Sequence, residues 1–261
     1  MTYIIPCAKV IAHYNYFSKL LGEYMSYTYC PYILDTETTS LDLLSGEIIE
    51  LSIYRLPTDE QKTWFIKPNN IEAISSESLK INGHKYEDIT WKTPHGRNTY
   101  KEQKEVIIDI ENWLMEDNLP SEKRIFVAFN VGFDYPRLQL LWSRNDSGDS
   151  FPFGRRSVDP MSIAFFQDWA TNNLSDAYSL SSLLKKYKIK NEKAHSAEAD
   201  TKATAELFKN QISEFINYST KGNTELVKQA EKNVKIKEFI KSLHISDLNE
   251  DNLLKLKSLI K

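Results

Sequence analysis

The chain has 261 residues, of which 41% are hydrophobic and 26% charged, with a formal net charge of −3. That balance is ordinary for a soluble globular fold with a sizeable core, built as one large domain or one domain with appendages. Any nucleic-acid surface would have to be a local basic one; the two cysteines, with no CxxC spacing, cannot make a zinc site alone; and no apolar run reaches membrane-spanning length.

Residues 1–30 are rich in tyrosine, and Val10, Tyr14, Phe17 and Leu21 recur at helical spacing. An N-terminal helical extension packed on the main domain is expected there. No long apolar stretch with a small-residue cleavage site is present, so no signal peptide is expected and the cytoplasm is the expected location. Cys7 and Cys30 then read as free thiols of a reducing compartment.

The main domain is expected over 31–219. Residues 31–37, 47–56 and 62–67 read as three strands of an antiparallel meander, with Pro57, Thr58 and Asp59 in a turn. Val106, Ile107, Ile110, Trp113 and Leu114 fall on one face of a helix ending near Glu116. Residues 124–129 read as a short buried strand and 133–142 as a helix. The stretch 145–154 reads as a surface loop by composition, and another short strand leads into Val158 and Asp159, with Pro160 in the first turn of the next helix. Residues 179–187 and 196–215 read as further helices. Strand and helix alternating after a meander indicate an α/β domain with a mixed sheet. Beyond a short linker near 219–223, residues 220–261 are lysine-rich with leucines at helical spacing, a C-terminal helical appendage suited to docking a partner.

Carboxylates stand out against this frame. Asp35 and Glu37, two apart in a strand, face the same side while Thr36 faces away. Asp134 opens a helix directly after the strand at 124–129, at the carboxyl end where α/β sheets hold ligands. Asp200 shares a helix face with Ala203 and Leu207, and His195 precedes that helix on a loop. Carboxylates brought together repel unless a cation lies between them. An oxygen-only donor set suits Mg²⁺ or Mn²⁺ rather than zinc, and an imidazole beside it can take a proton at neutral pH.

The order DTETTSL, then FNVGFD, then HSAEAD resembles the three motifs of the DEDDh-type 3′–5′ exonucleases. That family includes the proofreading subunit of bacterial DNA polymerase III, ribonuclease T and oligoribonuclease, and the likeness spans about residues 31–216. It implies an RNase H-like fold, with a mixed five-stranded sheet flanked by helices, and the release of nucleoside monophosphates from 3′ ends of single-stranded nucleic acid. By resemblance, Asp35, Glu37, Asp134 and Asp200 would hold two Mg²⁺ ions, with Mn²⁺ able to substitute, and His195 would be the general base. Thr38, Thr39, Leu41, Asn130 and Phe133 would meet the terminal nucleotide, Leu41 as a wedge against the last base. Asp159 reads as structural. Ser40 stands where the family usually has glycine, Phe129 where many members have histidine, and Asn82 in place of another histidine. DNA is favoured as substrate; the alternatives are an accessory subunit of a polymerase or nuclease complex, docked through 220–261, and an oligoribonuclease-like enzyme.

Two weaker signals remain. Lys185, Lys186, Lys188, Lys190 and Lys193 run ahead of His195, either holding phosphates or as a solvated helix end. Arg155 and Arg156 follow Phe151 and Phe153, a pairing that could stack on single strands. His13, His84, His95 and His244 have no partner visible in the sequence.

Overall fold

Cys30–Thr38 (β1) is apolar on both faces in its first half, with Tyr32, Ile33 and Leu34 wholly buried. A strand of that kind belongs at the centre of a sheet covered on both sides. A computed structural model of the chain, which describes residues 29–217, puts it there. Ile48–Arg55 (β2) runs antiparallel to β1, and Glu60–Phe65 (β3) antiparallel to β2. Arg124–Ala128 (β4) lies parallel to β1 on its other side, and the two-residue strand Ser157–Val158 (β5) parallel to β4. The order is β3-β2-β1-β4-β5, the mixed five-stranded sheet expected from the sequence. The expected N-terminal helix, the C-terminal appendage, Cys7, His13 and His244 lie outside the described residues.

Three short helices that periodicity does not reveal follow β3: Ser76–Asn82 (α1), Tyr86–Ile89 (α2) and Pro94–Thr99 (α3). Each is too short to hold itself in water. Leu79, Ile89 and Tyr100 anchor this region on Ile49 of β2, and the hydroxyls of Ser75 and Thr93 cap α1 and α3.

Gln103–Met115 (α4) buries Val106, Ile107, Ile110, Trp113 and Leu114. Val131–Arg144 (α5) buries Leu138, Leu141 and Trp142. Both pack on the sheet face that carries Tyr32, Leu34, Leu51 and Phe126. A second cluster joins Ala164 of Pro160–Ala170 (α6), Leu183 and Leu184 of Leu180–Tyr187 (α7), and Ala203 and Leu207 of the helix at 197–217 (α8). Period-two alternation turns Ile33, Asp35 and Glu37 away from the Tyr32–Leu34 face. β1 therefore ends with two carboxylates aimed to one side and Thr36 to the other. Contacts divide the chain into two compact units between Lys209 and Asn210, and every residue of the site lies in the first.

Candidate active site

The carboxyl end of β1 is where chain segments far apart in sequence meet. Thr36 donates from its hydroxyl to Asp134 Oδ1 at 2.7 Å. Asp134 sits in the first turn of α5 and is 2% exposed. The turn from β4 into α5 passes through Asn130 in the left-handed region, φ 64°, a conformation asparagine tolerates better than most side chains. Asp159 caps α6 through the Met161 N–H and also accepts the Asn130 N–H; it does structural work, as the sequence suggested.

From the other side, α8 presents Asp200, which is buried. Asn191 Nδ2 donates to its Oδ1, and the His195 N–H donates to its Oδ2 at 3.0 Å. His195 is exposed and left-handed at φ 64°. Ligand atoms of Glu37, His195 and Asp200 all lie within 4.8 Å of one another.

Burial pushes all four carboxyls up. Asp35 is driven well above the ordinary carboxylate range by burial and then by the charges of Asp134, Asp200 and Glu37. Glu37 is pushed up to about 8 by burial, Glu50, Asp200 and Asp134. Asp134 is pushed up to about 7 by burial, against the hydrogen bond from Thr36 and the charge of Arg137. Asp200 is raised by burial, although Asn191 and the His195 amide pull it back. Glu37 and Asp200, with the His195 imidazole beside them, form an acidic group that a hard divalent cation fits, and Asp35 and Asp134 act on the group through their charge.

The cation-free protein has a specific pH dependence for that reason. These carboxyls hold protons more tightly in the folded chain than in the unfolded one, where they titrate near about 4. Folding stability contributed by them is therefore full below that range. It declines as pH rises through about 7 for Asp134 and about 8 for Glu37. Added Mg²⁺ or Mn²⁺ is expected to raise Tm more at pH 8 than at pH 6, measured by thermal unfolding against a chelator control. An equal rise at both values would contradict a cation among these carboxylates.

Beside the cluster opens a cleft of about 380 Å³, lined among others by Glu37, Thr38, Leu41, Ile81, Phe133 and His195. Leu41 is 76% exposed at its edge. Its loop is clamped from α5: Arg137 donates to the Leu41 carbonyl and Arg144 to the Leu44 carbonyl. Arg137 also lies over the Phe133 ring at 3.7 Å. Gly46 closes the loop, since a Cβ there would stand 2.5 Å from the Ser40 carbonyl oxygen. Asn82 donates to the Thr38 carbonyl at 3.1 Å and so ties α1 to the end of β1.

The remaining sequence-predicted residues are placed differently. Thr39 is wholly buried. Its hydroxyl accepts the Glu47 N–H and its carbonyl the Ser75 N–H, so its side chain braces the loop and does not line the cleft. Asn130 is exposed but is not among the cleft residues. Phe129 packs beside the α6–α7–α8 cluster. The stacking surface envisaged around Arg155 and Arg156 is not formed: Phe153 is 4% exposed, against Tyr32 and Phe126, and Phe151 packs on Tyr135 and Trp142. Lys186 pairs with Asp168 at 2.5 Å, while Lys185, Lys188, Lys190 and Lys193 are exposed.

Sequence reasoning missed a fifth carboxylate. Glu50 stands opposite Glu37 in the β1–β2 register and is 4% exposed. It pairs with His84 Nε2 at 2.9 Å. A glutamate inside the apolar run of β2 was the signal available.

Known proteins share the family and the fold of this chain. The model of the exonuclease family matches residues 32–208. The PolC-type DNA polymerase III of Staphylococcus epidermidis is 25% identical over 197 residues, which cover 76% of this chain and 12% of the polymerase. The chain thus matches about an eighth of that relative's length. Among solved structures, E. coli exonuclease I in complex with a dT13 oligonucleotide is similar with a TM-score of 0.58 at 17% identity, covering 73% of this chain and 43% of that one. Cell-death related nuclease 4 is similar with a TM-score of 0.57 at 19% identity, covering 70% and 64%. These two likenesses are likenesses of fold.

Proposed function

The chain belongs to the exonuclease family, and from that premise we propose that it is a cation-dependent 3′–5′ exonuclease. It would release nucleoside monophosphates from the 3′ ends of single-stranded nucleic acid, with DNA favoured. The observation that carries the reading is the meeting of Glu37, His195 and Asp200 within 4.8 Å, next to a cleft of a size to take a nucleotide.

In this reading Asp35, Glu37, Asp134 and Asp200 would hold two Mg²⁺, with Mn²⁺ able to substitute. Such ions, when bound, offset phosphate charge and make water a stronger acid. The protein's own groups do the rest. His195, exposed at the cleft edge, takes the proton of the attacking water at its imidazole. Thr36 holds the Asp134 carboxylate through its hydroxyl. Leu41 and Phe133 supply apolar surface for the terminal base, and the arginine clamp on the Leu41 loop keeps that surface in place.

The polymerase relative supports a second reading, a proofreading-type subunit that docks a larger complex through 220–261. We likewise propose the division into an extension (1–30), a catalytic domain (31–219) and an appendage (220–261), and a cytoplasmic location; no helix among the described residues is long and apolar enough to cross a membrane.

The test is degradation of single-stranded DNA and RNA of one sequence, in a length series, with Mg²⁺ or Mn²⁺. DNA is expected to shorten faster at every length. Faster loss of RNA, falling off steeply with length, would favour the oligoribonuclease-like alternative. No shortening of either would refute the enzymatic reading.

A further inference from the structure

Glu50 costs the site something, because it adds a fifth carboxylate, itself buried, directly across from Glu37, and like charges facing each other on neighbouring strands are destabilising. Both its oxygens are occupied. Oε2 pairs with His84 Nε2 at 2.9 Å, and His84 Nδ1 lies 2.6 Å from the buried Tyr100 hydroxyl. Oε1 accepts the Ser196 hydroxyl and the Glu198 N–H, each at 3.3 Å.

Ser196 and Glu198 are the residues that lead from His195 into α8. The Glu198 N–H is among the first of that helix and has no partner within it, and a carboxylate at a helix N-terminus is favoured. The Glu198 carbonyl is held in turn by Gln61 Nε2 at 2.7 Å. His195 is left-handed at φ 64°, a conformation a non-glycine residue keeps only where its surroundings impose it. Asp200 restrains it through its N–H, and Glu50 grips the next residue along.

We propose that Glu50, braced by His84 and Tyr100, is a positioning residue that fixes the His195 loop from the neighbouring strand, an inference that rests on His195 being the base of the reaction. Glu50 does not touch the substrate. It sets where the imidazole stands relative to the cleft.

The test is a double-mutant cycle on a labelled single-stranded DNA oligonucleotide at saturating Mg²⁺, with Glu50→Ala and Glu50→Gln each made in the wild type and in His195→Ala. Glu50→Ala is expected to lower kcat about 10- to 100-fold with KM changed by less than about 2-fold, as small misplacements of a reacting group do. The same substitution should cost almost nothing further once His195 is gone. Glu50→Gln keeps an oxygen for Ser196 and Glu198 and should recover most of the lost rate. It also covers the case in which the alanine variant does not fold. An equal loss in both backgrounds, a glutamine variant as slow as alanine, or an unchanged kcat would each overturn the positioning role. Those results leave the exonuclease reading standing when His195→Ala alone is slow. Full activity of His195→Ala would remove His195 as the base and the positioning role with it, while the hydrolysis itself would stand.

Discussion

Asp35→Asn is expected to lower the hydrolytic rate by at least about 10²–10³-fold, the scale on which loss of one preorganised charged contact in a water-poor site is felt. Asp35 is the carboxylate on which the others converge: burial acts on it first, then the charges of Asp134, Asp200, Glu37 and Glu50. In the proposed reading, removing it withdraws a carboxylate that would share a cation with its neighbours. The same electrostatics make a second expectation that an ordinary damaging mutation would not meet. An amide there cannot add a charge to the crowd of carboxylates, so in chelator at pH 8 the variant should unfold at a temperature no lower than the wild type. Rate and Tm are read on the same preparation. Loss of activity together with a lower Tm would mean that Asp35 holds the fold and not the reaction.

His195→Ala is expected to slow turnover by about 10²–10⁴-fold, the usual contribution of a positioned proton acceptor. Cation binding should largely persist, because the four carboxylates remain. The alanine variant carries a complication, since φ at this residue is 64° and alanine there is strained. His195→Asn separates the effects, because asparagine visits the left-handed region readily and lacks the base. Both variants should be slow, and the cation-induced rise in Tm should survive in both. An active asparagine variant would take the proton-transfer role away from His195.

The meander, the helix over 103–115 and the strand at 124–128 are legible in the sequence because each spans enough residues for its period to show. α1, α2 and α3 are not. Helices of four to seven residues leave almost no periodic trace, and their stability comes from Leu79, Ile89 and Tyr100 meeting Ile49. The loop over 145–154 misleads in the opposite way. Its polar composition reads as surface, yet Phe151 and Phe153 complete the aromatic core around Phe126.

The site divides along a similar line. Asp35, Glu37, Asp134, His195 and Asp200 stand out because motif spacing and element ends mark them. What holds them does not, since Thr36 meets Asp134 across 98 residues and Glu50 meets Ser196 across 146. Thr39 illustrates a local limit. The β1–β2 register shifts between Glu37 and Thr38, and the chain just beyond turns the Thr39 side chain inward toward Glu47. No local pattern announces that shift.

The most direct measurement follows a 5′-labelled single-stranded oligonucleotide incubated with the wild-type protein in Mg²⁺ or Mn²⁺ and, in parallel, in excess chelator. A ladder shortening one nucleotide at a time from the 3′ end, dependent on the cation and absent with Asp35→Asn, is the expected result. Undiminished cleavage in chelator, or cuts only at internal positions, would contradict a cation-dependent exonuclease built on these carboxylates.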